Sequence, residues 1–179
     1  MYIFTGGRPC LHQLGASDHL SLTKGDMVSM CESNKFLHIG GLGLVAKGGD
    51  YERSIEPLLR IANEYGVITS MDIIAPHANT LQQLKETLPL VDYFLPSLEE
   101  AETISQLKSK EVGSIGEFFM GLGVRIACVF KAGERGSYLI CRRYNYHHHH
   151  HHHYYYHYLY HHHHHHHYHY HHYHYHYYH

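Results

Sequence analysis

Apolar residues follow two alternating spacings between residue 36 and residue 141. Continuous or alternating apolar runs, several rich in β-branched residues, predict strands at residues 36–42, 67–74, 91–95, 124–130 and 137–141. Between these runs, apolar residues recur every three or four positions, which predicts helices at residues 53–65, 79–89, 97–107 and 114–122. The chain therefore alternates strand and helix at short intervals over most of its length.

Residues that begin or end helices support the proposed boundaries. Ser97 with Glu100 three residues later has the pattern of a capping box, in which each side chain accepts a hydrogen bond from the other residue's backbone N–H. Asn79 can cap the helix predicted at residues 79–89, and Pro89 ends that helix. Gly66 follows residues 53–65 at the place where a left-handed cap is expected.

The order of elements predicts the fold class. Strands that alternate with helices form a mostly parallel sheet covered by helices, which is an α/β fold. The last two predicted strands are joined by the glycine turn of residues 132–136, so they could form an antiparallel hairpin at one edge. Because ligands of such sheets collect at the carboxyl ends of the strands, we expect Asp72, residues 96–100 and residues 131–136 to lie near one edge.

The composition changes abruptly after Arg143. Residues 144–179 hold 21 His, 13 Tyr, one Asn and one Leu, without Gly, Pro or charged residues. We therefore divide the chain into an α/β domain at residues 1–143 and a low-complexity His/Tyr tract at residues 144–179. The tract has neither apolar alternation nor helix caps, and we expect it to be disordered or to form loose β structure.

The charge and the cysteines exclude several classes of function. All 14 Lys and Arg and all 16 Asp and Glu precede residue 144, so the α/β domain has no basic field for nucleic acid or membrane. No run of 18 apolar residues exists, and the first residues do not resemble a signal peptide. The four cysteines are widely scattered, which favours ordinary thiols in a cytoplasmic protein. The single histidines His12, His19, His38 and His77 have no partners in sequence and carry no predicted role.

Residues 66–72, 91–101 and 129–137 together, in this order, resemble the PfkB/ribokinase family of carbohydrate kinases. Residues 66–72 (GVITSMD) are similar to the family's strand that ends in an acidic or amide residue beneath the phosphates. Residues 91–101 (VDYFLPSLEEA) resemble its Pro-Asn-x-x-Glu-Ala stretch, and residues 129–137 (VFKAGERGS) resemble the turn that borders the nucleotide. Residues 7–30 resemble its substrate lid more loosely. The resemblance implies an ATP-dependent kinase that phosphorylates a hydroxyl group of a sugar or nucleoside.

The resemblance implies roles for two acidic residues, and each has a simpler alternative. Glu100 would act on Mg²⁺ through water, although the capping box alone would account for it. Ser97 stands where the family has Asn, and its shorter hydroxyl cannot reproduce the contacts of an amide. Asp72 would lie on the phosphate side of the nucleotide, or it could accept backbone N–H bonds in a turn.

The resemblance also implies nucleotide-side residues at the turn. Lys131, Gly133 and Gly136 would border the nucleotide. Glycines are expected in any tight turn, and Lys131 could be a solvated charge on an edge strand. A homodimer is left open.

The family's catalytic segment does not occur in this sequence. A Gly-Ala-Gly-Asp stretch at a helix N-terminus supplies the family's catalytic base and N–H donors for the transferred phosphoryl group. Here the chain enters the tract instead, and the family's amino-terminal substrate-binding segment is also not found. We therefore expect an incomplete, truncated kinase that is inactive alone.

The tract admits three interpretations. Its runs of seven histidines, at residues 147–153 and 161–167, could bind Zn²⁺, Ni²⁺ or Cu²⁺, which would make the protein a non-catalytic metal-binding or interaction protein. The second interpretation is structural, namely a disordered segment or one with loose β structure. A repeat-derived sequence without function is the third interpretation, since His and Tyr codons differ at a single base.

Overall fold

The computed structural model describes residues 2–5, 8–11, 22–42, 50–143, 153–159 and 170–172. Side chains are described for residues 22–42, 55–108 and 110–141. The main sheet of these residues has seven strands in sequence order: β3 (Phe36–Leu42), β4 (Ile68–Ile73), β5 (Tyr93–Phe94), β6 (Ala127–Lys131), β7 (Ser137–Arg143), β8 (His153–Leu159) and β9 (Tyr170–His172). A separate antiparallel pair, β1 (Tyr2–Thr5) and β2 (Arg8–Leu11), precedes it.

Strands β3, β4, β5 and β6 are parallel to one another, and the remaining pairs are antiparallel. Five helices occur in the described part of the chain: α1 (Lys24–Ser33), α2 (Asp50–Glu64), α3 (Thr80–Thr87), α4 (Leu98–Ser105) and α5 (Val112–Gly121). Helices α2 to α5 fall between successive strands, as parallel connections require. Over β3 to β7, three of the four strand pairs are parallel, so the predicted α/β class with a mostly parallel sheet is confirmed for this part of the chain.

A single hydrophobic core joins the helices to alternate positions of the strands. Along β4, Thr69, Met71 and Ile73 are buried whereas Ile68, Ser70 and Asp72 are only partly buried. This alternation is the period of a strand with one face against the core. At the centre, the ring of Phe119 from α5 lies 5.0 Å from that of Phe94 and 6.1 Å from that of Phe130.

Close packing of α5 on the sheet depends on Gly116. A Cβ atom at this position would lie 2.7 Å from Cγ2 of Ile140, a buried residue of β7. Such a separation is shorter than any ordinary carbon–carbon contact. The absence of a side chain at Gly116 therefore sets how near the helix approaches β7.

Several predicted boundaries differ from the structure. The run at 91–95 forms a strand only at Tyr93–Phe94, because a 3₁₀ turn at Leu88–Leu90 precedes it and Pro96 follows. Helix α5 begins at Val112 rather than Ser114, directly after a 3₁₀ turn at Ser109–Glu111. The helix predicted at residues 53–65 lies at Asp50–Glu64. The helix predicted at residues 97–107 lies at Leu98–Ser105.

Helix α3 is capped differently from the expectation. Asn79 occupies the N-cap position, but its backbone is already helical (φ −95°, ψ −6°) and its side chain makes no capping bond. Instead, the backbone N–H of His77 donates to Oγ1 of Thr80 at 2.8 Å. Gly66 has the expected positive φ of 69°, which places a left-handed residue after α2.

The His/Tyr tract contributes to the main sheet where it is described. Strand β8 pairs antiparallel with all seven residues of β7, and β9 pairs with β8. The antiparallel β6–β7 hairpin is thus confirmed, but β7 is not an edge strand. Residues 144–152, 160–169 and 173–179 lie outside the described part, and the expectation of disorder for them stays a prediction.

Candidate functional site

The carboxyl ends of β4, β5 and β6 bring the predicted site residues together. Asp72 is the last but one residue of β4, and Lys131 is the last residue of β6. Between them, the chain leaving β5 is held by a hydrogen bond of 3.0 Å from the Lys131 N–H to the Pro96 carbonyl oxygen, and Ser97 pairs in parallel with Lys131. Adjacent parallel strands end at one edge, so residues far apart in sequence meet there.

Asp72 and Lys131 form an ion pair at this edge. Lys131 Nζ lies 2.6 Å from Asp72 Oδ2, and Asp72 Oδ1 accepts a bond of 2.8 Å from the backbone N–H of Ile73. The Asp72 carboxylate therefore accepts a backbone N–H bond, as the alternative to a phosphate-side role required. It also pairs with the ammonium group of Lys131. The alternative of a solvated charge on an edge strand is wrong in its second part, because β6 lies between β5 and β7, although the Lys131 side chain is half exposed.

The pair remains open to solvent. The Lys131 side chain is 50% exposed and that of Asp72 is 28% exposed. An ion pair in such a setting contributes little to stability. A partly exposed ammonium group at a sheet edge can still attract an anionic ligand, because its charge is not enclosed by protein.

The turn after β6 is shaped by its two glycines. Gly133 has φ 59° and Gly136 has φ 84°, both in the region that favours glycine. The Gly136 N–H donates to the Gly133 carbonyl oxygen at 2.9 Å, and the Ala132 N–H donates to the Gly136 oxygen at 2.8 Å. A Cβ on Gly133 would meet no heavy atom within 4 Å, so its backbone faces open space beside Lys131.

Glu100 forms the predicted capping box. Its Oε2 accepts from the Ser97 N–H at 2.7 Å, and its own N–H donates to Ser97 Oγ at 3.2 Å. The simpler interpretation of Glu100 as a capping residue is therefore confirmed. Among the residues whose side chains are described, none bonds to Oε1 of this half-buried carboxylate, so the capping bond and a water-mediated bond to a metal ion are compatible.

The sequence analysis did not predict a buried hydrogen-bond and ion-pair network at the amino ends of the strands. Asp92, 3% exposed, accepts from the Thr69 N–H at 2.8 Å and lies 3.0 Å from NH2 of Arg125. Arg125 also donates to the side chain of Asn63 on α2. An acidic residue inside the apolar run 91–95 was the available signal, since buried carboxylates require partners. This network lies at the amino ends of the strands, away from the candidate site.

Other chemistry in the described residues is limited. His38 Nδ1 lies 2.9 Å from Ser70 Oγ, which joins neighbouring positions of β3 and β4. Burial raises the pKa of the thiols of Cys31 and Cys141. No three His, Cys, Asp or Glu side chains come together within the part of the chain whose side chains are described. None of the described helices is long and apolar enough to cross a membrane.

Comparison with models of protein families identifies the family to which this chain belongs. The pfkB family carbohydrate kinase model matches residues 7–153, which is most of the chain. The chain belongs to the pfkB family of carbohydrate kinases. The resemblance drawn from residues 66–72, 91–101 and 129–137 is thereby confirmed. No curated protein sequence matches the chain significantly.

Solved structures of the pfkB family and ribokinases have the same fold. A PfkB protein from a Polaromonas species has a TM-score of 0.57 and 19% identity, over 77% of this chain and 48% of that one. A ribokinase from Giardia lamblia has a TM-score of 0.52 and 14% identity, over 65% of this chain and 35% of that one.

A third structure is a putative ribokinase II from E. coli in complex with ATP and Mg²⁺. It has a TM-score of 0.51 and 19% identity, over 64% of this chain and 37% of that one. At these identities the likenesses show the fold. The chain spans between about a third and a half of these three structures.

Proposed function

We propose that residues 1–143 form the part of a pfkB-family kinase that binds the phosphates of ATP and its Mg²⁺. The observation that carries this proposal is the ion pair between Asp72 and Lys131, at the carboxyl ends of the strands and directly before the turn that contains Gly133 and Gly136. Membership of a carbohydrate kinase family supports a small-molecule substrate, a sugar or a nucleoside, whose hydroxyl group accepts the phosphoryl group.

Lys131 would supply positive charge to the nucleotide phosphates. Its ammonium group pairs with Asp72 and its side chain is half exposed, so it can turn toward an anion without unfolding its surroundings. Asp72 acts as a positioning residue, because its other oxygen is fixed by the Ile73 N–H. The open backbone at Gly133 lets a flat ligand approach the turn more closely than a side chain would allow.

Glu100 fits the proposed role beside Mg²⁺. One carboxylate oxygen is occupied by the Ser97 N–H, and the other, at the first turn of α4, has no bond to any residue whose side chain is described. Hard cations such as Mg²⁺ take oxygen ligands and usually keep several waters, which suits a contact through water. When bound, Mg²⁺ would neutralise part of the charge of the phosphates.

The 179 residues alone are expected to bind nucleotide without transferring its phosphoryl group. Phosphoryl transfer requires an acceptor base and preorganised N–H donors, and this sequence contains no Gly-Ala-Gly-Asp stretch to supply them. Binding and turnover are thus separable in this chain. A cytoplasmic location and a homodimer stay predictions.

The experiment measures MgATP binding and phosphate transfer on the full 179-residue chain. Isothermal titration should detect MgATP binding, and Lys131→Met should weaken it about tenfold or more, since one charged hydrogen bond contributes about 1.5–3 kcal/mol. Lys85→Met is the matched control, because Lys85 is an exposed lysine on α3, outside the candidate site. Transfer from labelled ATP to a panel of sugars and nucleosides should stay at background.

Two results would contradict the proposal separately. Equal MgATP affinity in the wild type, Lys131→Met and Lys85→Met would remove Lys131 from the site. Turnover at an ordinary enzyme rate, about 1–100 per second for kinases, would show that residues outside the expected segment complete the catalysis.

A further inference from the structure

The connection from β4 to α3 is a part of the carboxyl edge that the proposed nucleotide site leaves unused. Residues 74–79 follow Ile73, the last residue of β4, and α3 begins at Thr80. Connections that leave parallel strands do so at the carboxyl ends of the strands. This connection therefore lies at the same edge of the sheet as Asp72 and Lys131.

Ala75, within this connection, has a backbone conformation that is unfavourable for its residue type. Its φ of 47° is in the left-handed region, and it precedes Pro76, although a residue before proline is normally extended. Gln106 is the other described non-glycine residue with a positive φ, and there it ends helix α4. Ala75 follows a strand, so the end of a helix does not explain its conformation. Backbone strain of this kind persists where surrounding contacts fix it, and it concentrates at ligand-binding and active sites.

Three hydrogen bonds fix His77 within the same connection. Its N–H donates to Oγ1 of the buried Thr80 at 2.8 Å, and its carbonyl oxygen accepts from the Thr80 N–H at 3.0 Å. The third bond runs from the Asn79 N–H to Nδ1 of the His77 ring, at 3.2 Å. The backbone and the half-buried ring of His77 are therefore both held in place.

The bond to Nδ1 also decides which ring nitrogen carries the proton. A ring nitrogen that accepts from a backbone N–H is itself unprotonated, so the neutral ring of His77 has its proton on Nε2. Nε2 makes no bond to any residue whose side chain is described. His77 therefore carries one N–H donor of defined identity at the edge where the phosphates are proposed to bind.

We propose that the Nε2–H of His77 donates a hydrogen bond to a phosphate group of the nucleotide. This inference rests on the proposed function, and it adds a second phosphate-binding group from a different connection than that of Lys131. An N–H bond to an ionised phosphate oxygen is stronger than a bond between neutral groups. Because the connection is already fixed by its own hydrogen bonds, nucleotide binding does not have to order it.

The test is isothermal titration of the full 179-residue chain with MgATP, using two substitutions of the same residue. His77→Asn keeps an acceptor near the position of Nδ1 for the Asn79 N–H but removes the Nε2–H. It should weaken binding about tenfold, which is the loss expected for a hydrogen bond to a charged group. His77→Gln places an amide N–H near the position of Nε2 and should retain most of the affinity.

His38→Asn is the matched control, because His38 lies within β3 and its Nδ1 is 2.9 Å from Ser70 Oγ, away from the carboxyl edge. It should bind MgATP as the wild type does. Thermal unfolding confirms that each variant is folded before its affinity is compared. The inference is overturned if His77→Asn binds as tightly as the wild type, or if His77→Gln loses as much affinity as His77→Asn.

The Lys131→Met variant distinguishes failure of this inference from failure of the proposed function. If Lys131→Met weakens MgATP binding and His77→Asn does not, the role of His77 is wrong and the proposed function is unaffected. If His77→Asn weakens binding and Lys131→Met does not, the phosphates bind beside the β4–α3 connection without Lys131. That result supports the inference and contradicts the proposed role of Lys131. Absence of MgATP binding by the wild type would overturn both.

Discussion

Lys131 Nζ lies 2.6 Å from Asp72 Oδ2, across 59 positions of sequence and with strand β5 between their two strands. The pair joins the carboxyl ends of β4 and β6 over the point where the chain leaves β5 toward α4. It is the contact on which the proposed phosphate site depends.

Loss of this ion pair should change stability very little. Both side chains are substantially exposed, so we expect Asp72→Asn to lower the free energy of unfolding by about 1 kcal/mol or less. Urea denaturation at low and high salt measures this, and the difference from wild type should shrink as salt screens the pair. A loss of several kcal/mol would mean that Asp72 has a mainly structural role.

Substitution of the capping box should separate the structural and metal-binding roles of Glu100. Ser97→Ala should cost about 1 kcal/mol of stability, because the Glu100 N–H loses its acceptor. Glu100→Gln keeps an oxygen for the Ser97 N–H but removes the charge, so stability should change little while the Mg²⁺ dependence of ATP binding weakens.

Glu99→Gln is the control for Glu100, since Glu99 is exposed in the same first turn of α4. It should leave the Mg²⁺ dependence unchanged. If both glutamine variants behave alike in Mg²⁺ titrations, the effect comes from general charge, and Glu100 is a capping residue only.

Removal of the buried carboxylate should destabilise the domain much more than removal of Asp72. Asp92→Ala leaves the Thr69 N–H without its side-chain acceptor and Arg125 without its ion-pair partner. We expect a loss of about 1.5–3 kcal/mol in urea denaturation, the range for a hydrogen bond to a charged group. A loss no larger than that of Asp72→Asn would show that the network is dispensable.

An added methyl group at Gly116 should disrupt the packing of α5 on β7. In Gly116→Ala the new Cβ would lie 2.7–2.9 Å from three atoms of Ile140, which predicts a loss of about 1–3 kcal/mol. Gly121→Ala, at the end of the same helix, meets nothing within 4 Å and should be neutral or slightly stabilising. Thermal unfolding compares the two, and equal effects would exclude the steric explanation.

The thiols of buried Cys31 and partly buried Cys141 should titrate at higher pH in the folded protein than in urea. Burial raises the pKa of Cys31 and Cys141 above the ordinary value of 9.0. The stability that this difference contributes is present below pH 9.0 and is lost as pH rises through the folded-state pKa values. Iodoacetamide labelling with mass spectrometry should therefore show a higher midpoint for both sites in the folded chain, and coincident midpoints would contradict it.

Local sequence patterns were sufficient to predict features whose stabilising contacts come from residues near in sequence. The Ser97–Glu100 capping box and the left-handed Gly66 were both predictable, because their geometry depends on residues within a few positions. The start of α5 and the length of β5 were not, since a 3₁₀ turn and the neighbouring strands set those boundaries. Asn79 was predicted to cap α3, but Thr80 supplies the side-chain bond there.

The sequence by itself determined the α/β class, the family, and the set of residues that reach one edge of the sheet. Its strand and helix periods arise from which side chains must be buried, and those periods are visible without coordinates. Only the tertiary structure decided that Asp72 pairs with Lys131, that Asp92 pairs with Arg125, and that β8 pairs with β7. These pairings depend on strand order and register, which result from contacts between segments far apart in the chain.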